Sequence, residues 1–120
     1  MESRLEVLAD HVQVSCIGQF DGAEARALVA RIVEAAGGAG VQKVLVDLRG
    51  LSTTVGIGER YDVASLLARG GAERLRMAFL VGPENFFTKT FEDTATNRGL
   101  AVRSTTSLAE ARAFLGLKDS

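Results

Sequence analysis

Two unbroken apolar runs constrain this chain more than any other feature: Val44-Leu45-Val46 and Met77-Ala78-Phe79-Leu80-Val81. A strand with one wet face alternates apolar and polar residues. An unbroken run wants cover on both faces, as in a parallel sheet. Neither run approaches the roughly 20 residues that a membrane helix needs. Parallel neighbours require long crossovers, normally helical. Residues Glu59 to Arg69 lie between the runs and read as a helix with Val63, Leu66 and Leu67 inward.

The rest of the chain fits the same scheme. Residues 4–18 alternate, with Leu5, Val7 and Ala9 on one face and Val12, Val14 and Cys16 on one face after a break at Asp10-His11. That pattern predicts two half-buried strands joined by a tight turn. Asp21 and Glu24 have capping-box spacing, and Ala25, Leu28, Val29, Ile32 and Ala36 form a helical stripe ended by Gly37. Residues 48–58 read as a polar, Gly-bearing loop. After Gly82-Pro83, the residues Phe87, Phe91 and Ala95 predict a third helix stopping at Gly99. Leu100 to Arg103 reads as a short strand. Ser107 and Glu110 open a last helix with Leu108, Ala111 and Leu115 inward and Gly116 as its end. The expected fold is α/β, a single domain over residues 1–120. It has a mostly parallel five-stranded sheet, an N-terminal hairpin and four helices.

Composition narrows the function classes. The 120 residues are 47% hydrophobic and 24% charged, enough for a core without a metal or disulfide staple. Fourteen basic residues stand against fifteen acidic ones and are scattered, so nucleic acid is not an expected partner. The charged N-terminus lacks a signal-peptide pattern, and a cytoplasmic protein is expected. The near-zero net charge offers little repulsion against a homodimer.

Catalytic chemistry is hard to assemble. The one histidine, His11, falls in the predicted turn, and the one cysteine, Cys16, falls five residues on along a strand. They are read as a surface histidine and a core cysteine, not a base and nucleophile. The acidic pairs Glu92-Asp93 and Glu59/Asp62 have no histidine nearby, so no metal site and no cofactor are expected. Gly56-Ile57-Gly58 opens a helix after a strand, but Tyr61 stands where a dinucleotide fingerprint needs its third glycine. It reads as a turn that retains the anion preference of a helix start. Ser52, Thr53 and Thr54 crowd the same loop and are candidate phosphorylation positions. Phe86 lies off the Phe87/Phe91 stripe and is a candidate partner contact.

The stretch Val44-Leu45-Val46-Asp47-Leu48-Arg49-Gly50-Leu51, followed by a Gly-bearing loop and a helix, resembles the central strand of STAS-type, SpoIIAA-like domains. Asn97-Arg98-Gly99-Leu100-Ala101-Val102-Arg103 and the terminal Ser107-to-Leu115 helix resemble a branch of small stand-alone bacterial proteins of that superfamily. The resemblance implies a SpoIIAA-like fold and a regulatory role without enzymatic activity. Family antagonists bind a kinase or anti-sigma partner and are switched by phosphorylation of a serine in an Asp-Ser-Ser-Gly pattern. In this chain those four positions fall on Val55, Gly56, Ile57 and Gly58, and only the last glycine matches. Neither serine is present, and Thr53 and Thr54 lie earlier in the loop.

Open α/β sheets place their sites at the C-terminal ends of the strands. The expected contact surface is therefore Asp47, Arg49, Ser52, Thr53, Thr54, Gly56 and Gly58 with Glu84, Asn85, Phe86 and Lys89. Arg49 would fork onto a carboxylate or phosphate, and Asp47 would either orient it or cap a loop amide. A second reading, from a different class, is a binder of a small anionic or apolar ligand. There Arg49, Lys89 and the Gly56–Gly58 helix start would hold the head group, and Phe86 with Tyr61 would touch the apolar part.

Overall fold

The computed structural model describes residues 1–52, 57–83 and 99–117, giving the backbone alone for residues 57–61 and 73. Strands β1 (Glu2–Val7) and β2 (Val12–Gly18) lead into helix α1 (Gly22–Ala39) and strand β3 (Lys43–Leu51). Helix α2 (Ile57–Arg69), a short 3-10 turn (Ala72–Arg74) and strand β4 (Arg76–Leu80) follow. Strand β5 (Ala101–Thr105) and helix α3 (Leu108–Leu115) complete the described part.

The five strands form one sheet in the order β1-β2-β3-β4-β5. β1 runs antiparallel to β2, and the other three pairings are parallel. The sheet is thus mixed, which corrects the expectation of a mostly parallel one: a hairpin edge is welded to a parallel body. The described residues contain three α-helices, not four. The expected helix carrying Phe87, Phe91 and Ala95 lies outside them.

Helices α1 and α2 connect successive parallel strands and share one face of the sheet. Right-handed crossovers that step the same way across a sheet fall on the same side. Under them lies the main core, with Val12, Val14 and Cys16 of β2, Val44 and Val46 of β3, and Met77 and Phe79 of β4. Leu45 and Ala78 point the other way and meet Ala111, Leu115 and Leu117 around α3. The unbroken apolar runs are therefore covered on both faces, as read. Phe114 at the rim of the smaller cluster takes the Arg76 guanidinium at 4.4 Å from its ring centroid and that of Arg103 at 5.2 Å.

Helix ends follow local chemistry, with three corrections. The Glu24 amide donates to Asp21 Oδ1 at 3.0 Å, and the Glu110 amide donates to Ser107 Oγ at 3.2 Å. Both N-caps form as expected, but the carboxylates of both boxes pair elsewhere. Glu24 meets the Met1 ammonium at 2.8 Å and Glu110 meets Arg103 at 3.4 Å. Helix α1 also runs past Gly37. Its left-handed cap is Gly40, at φ 70°, where the turn requires it. Leu108 was expected inward but is exposed, because it opens the first turn of α3 ahead of the sheet contact.

Candidate functional site

The C-terminal half of β3 is longer than the sequence indicated. Residues 48–51 are strand, not loop, because pairing with β2 continues through Ile17↔Gly50 and Gly18↔Leu51. The ladder changes register on the way. Ser15 faces Asp47, yet Ile17 faces Gly50, so one extra residue bulges from β3. Asp47, Arg49 and Ser52 lie on or just beyond this irregular end.

Beside the bulge, Asp47 and Arg49 stand two residues apart along the strand, on one face, and close on each other. Arg49 Nη2 donates to Asp47 Oδ2 at 2.9 Å and Arg49 Nε donates to Oδ1 at 3.1 Å. The Arg49 backbone amide adds a third bond to Oδ1 at 3.0 Å. Burial pushes the Asp47 carboxyl up, but the hydrogen bonds and charge of Arg49 outweigh it, so the carboxyl titrates below its usual range. Arg49 is raised in turn by the Asp47 hydrogen bond and charge. The Arg49 side chain remains 51% exposed against 26% for Asp47. The carboxylate therefore acts as a brace that holds a guanidinium toward solvent in a fixed plane, suited to forked recognition of a carboxylate or phosphate.

Ser52 anchors the strand end through its backbone. Its amide donates to Gly18 O at 2.7 Å, and its side chain is exposed. Gly50 makes the approach possible. A Cβ there would meet Ile17 Cγ2 at 2.5 Å and Cys16 O at 2.9 Å. Gly58 and Tyr61 fall in the first turns of α2, which opens at Ile57. Thr53, Thr54, Gly56, Glu84, Asn85, Phe86 and Lys89 lie outside the described residues. So does the register of Val55 against the serine pattern.

Cys16 is 1% exposed, and its thiol is pushed up by burial first and by the Asp47 charge second. That suits an inert core cysteine. His11 corrects the sequence reading: it is 4% exposed, not at the surface. Its Nδ1 donates to Asp10 Oδ1 at 2.7 Å, and the Leu8 amide closes the turn onto His11 O at 2.8 Å. The Asp10 carboxylate stays in solvent while the ring is buried. Among the described residues no cluster of His, Cys, Asp or Glu has the makings of a metal site. Also among them, no helix is long and apolar enough to cross a membrane.

Two concavities lie among the described residues. An apolar cavity of about 100 Å³ lies under α1 and α2, bounded by Cys16, Leu28, Val46, Leu67 and Phe79 among others. Small-molecule sites run to about 300–1,000 Å³, so this is a packing gap in scale. A groove of about 400 Å³ with a mixed lining runs between α1 and α2, where Arg26, Asp62, Ser65 and Arg69 stand beside Phe20, Val63 and Leu66. The sequence reading did not single out Arg26 or Arg69 because only the docking of one helix on the other assembles the groove.

No family profile and no characterised protein matches the chain in sequence. Among solved structures, it is similar to the anti-sigma factor antagonist SpoIIAA in its unphosphorylated form. The two share 18% identity at a TM-score of 0.53 over 98% of this chain and 100% of that one. With its hairpin edge, parallel body and flanking helices, this chain has the SpoIIAA-like fold.

Proposed function

We propose that this protein is a non-enzymatic regulatory module that works by binding another protein, as a single domain over residues 1–120 in the cytoplasm. The observation that carries the reading is the SpoIIAA-like fold over almost the whole chain, shared with a protein that acts as an anti-sigma factor antagonist. Fold alone does not license function, so the site must carry its part. The braced Arg49 supports it: a half-exposed guanidinium at the C-terminal end of a central strand is a ready contact for an acidic or phosphorylated partner surface.

The proposed surface comprises Asp47, Arg49, Ser52, Thr53, Thr54, Gly56, Gly58 and Tyr61, with Glu84, Asn85, Phe86 and Lys89. The last four follow β4 in the chain, so its C-terminal end leads toward them. Ser52, Thr53 and Thr54 are the hydroxyls at which phosphate would add negative charge within a few residues of Arg49 in the sequence. The test is native mass spectrometry of the protein gently purified from its own source, beside a variant carrying Arg49→Ala and Phe86→Ala. A protein-sized adduct that is present in the wild type and lost in the variant is expected. An adduct that survives both substitutions unchanged overturns the placement. A mass increment of a few hundred daltons in place of a protein overturns the function in favour of a ligand binder.

A further inference from the structure

We infer that β1 is a self-recognition edge, through which a second copy of this chain adds antiparallel and extends the sheet across a two-fold axis at Leu5. β1 is the terminal strand of the sheet, paired only to β2. Its outward bonding groups can be assigned. The Leu8 amide donates to His11 O, so the pair Leu8 and His11 is of the hydrogen-bonded kind. Such pairs alternate along an antiparallel ladder. Glu6, Arg4 and Glu2 therefore bond toward β2, while Ser3, Leu5 and Val7 turn their N–H and C=O groups out of the sheet.

Side chains decide what fits that edge. Glu2, Arg4 and Glu6 share one face of β1 at alternate positions and are all exposed, and none has an ion-pair partner among the described residues. Five symmetric registers, centred on residues 3 to 7, bring outward groups against outward groups. Centring on Glu6 sets Glu6 on Glu6′ (the prime marks the second copy), which is repulsive, and centring on Val7 leaves Ser3 and Leu5 opposite the partner's turn instead of its strand. Pairing Ser3 with Leu5′ sets Arg4 on Arg4′ and Glu2 on Glu6′, which is repulsive. Centring on Ser3 needs Met1, which lies outside the strand with its ammonium held by Glu24. Centring on Leu5 sets Arg4 on Glu6′ and Glu6 on Arg4′, with Ser3 opposite Val7′ and Val7 opposite Ser3′.

That last register uses every outward group of β1. It also brings cover to two apolar residues left bare in the single chain, Val7 at 49% and Leu8 at 39% exposure. A strand from an unrelated protein would not need the acid-base-acid pattern that makes β1 complementary to itself. The net charge of −1 leaves two copies without long-range repulsion. The charges do double duty, because any shift of register by two residues brings like charges together.

Sedimentation equilibrium of the full chain, from micromolar to submillimolar concentration, tests this. The wild type is expected to dimerise reversibly. Arg4→Glu is counted twice by the symmetry and should weaken the dimer by about tenfold or more, since cross-strand charge pairs act in both directions. Combining Arg4→Glu with Glu6→Arg should restore it. Val7→Pro should abolish the dimer while thermal unfolding stays near the wild type, because the Val7 N–H points away from β2. A wild type that is monomeric throughout overturns the proposal. So does a dimer indifferent to Arg4→Glu and Val7→Pro, and failure of the charge-swapped double variant overturns the register.

Discussion

Gly50→Ala tests the reasoning about the β3 bulge most directly. The new methyl would sit 2.5 Å from Ile17 Cγ2 and 2.9 Å from Cys16 O. The first contact can be relieved, since Ile17 is half exposed and its side chain can rotate. The second cannot be relieved cheaply. Cys16 lies in β2, which is clamped by β1 on one side and β3 on the other. Overpacking of this kind costs about 1–3 kcal/mol. Against it stands about 0.4–1 kcal/mol gained by stiffening the unfolded chain. The net expectation is a loss of about 1–2 kcal/mol, or about 4–8 °C in Tm for a domain of this size. Urea unfolding followed by circular dichroism would measure it. Adding Ile17→Ala removes Cγ2 but leaves the Cys16 carbonyl, so it should recover only part of the loss. Unchanged or raised stability in Gly50→Ala, or complete rescue by Ile17→Ala, would refute a backbone clash at the bulge.

Ser107→Ala removes the cap on α3 and should cost about 1 kcal/mol by the same unfolding assay. Arg49→Ala should cost at most about 1 kcal/mol at neutral pH, because the pair is half exposed. The Asp47 carboxyl is depressed in the fold, so its stabilisation is complete above its unfolded value of 3.8 and lost as the pH falls through the lower folded one. The stability gap between wild type and Arg49→Ala should therefore close on acidification below about pH 4, as titration curves of denaturant midpoints would show. Cys16 should resist thiol reagents in the native state and react fully once urea unfolds the chain; rapid native labelling would contradict its burial.

Elements were legible where one physical signal spoke alone. The unbroken runs at Val44–Val46 and Met77–Val81 carried their double burial in plain view. The stripe from Ala25 to Ala36 named the buried face of α1 residue for residue. The second half of β3 was hidden because Leu48-Arg49-Gly50 has the composition of a loop. It is strand only because β2 lies alongside to pair with it and a glycine permits the approach. Gly37 misled because three glycines in four residues offer the same freedom. Only the bonds from Gly40 and Val41 back to Gly37 and Ala36 choose between them. His11 was misplaced because a turn residue is ordinarily wet; here the Asp10 carboxylate stays in solvent while the ring is buried. Asp47 was read as orienting Arg49 across a strand-to-loop boundary, and the two do pair, although both lie on the strand. What was not readable was the register shift beside them, which no composition announces.

The sequential strand order also bears on how the chain is made. Each strand's neighbour in the sheet is the one that left the ribosome just before it. No strand must be threaded later into a gap between two others. Every step of assembly closes only the span between consecutive strands, which keeps the entropy of each closure small. During synthesis the sheet has one moving frontier, sealed and reopened as each strand arrives. The β1 side is finished with the first hairpin and stays the same from then on.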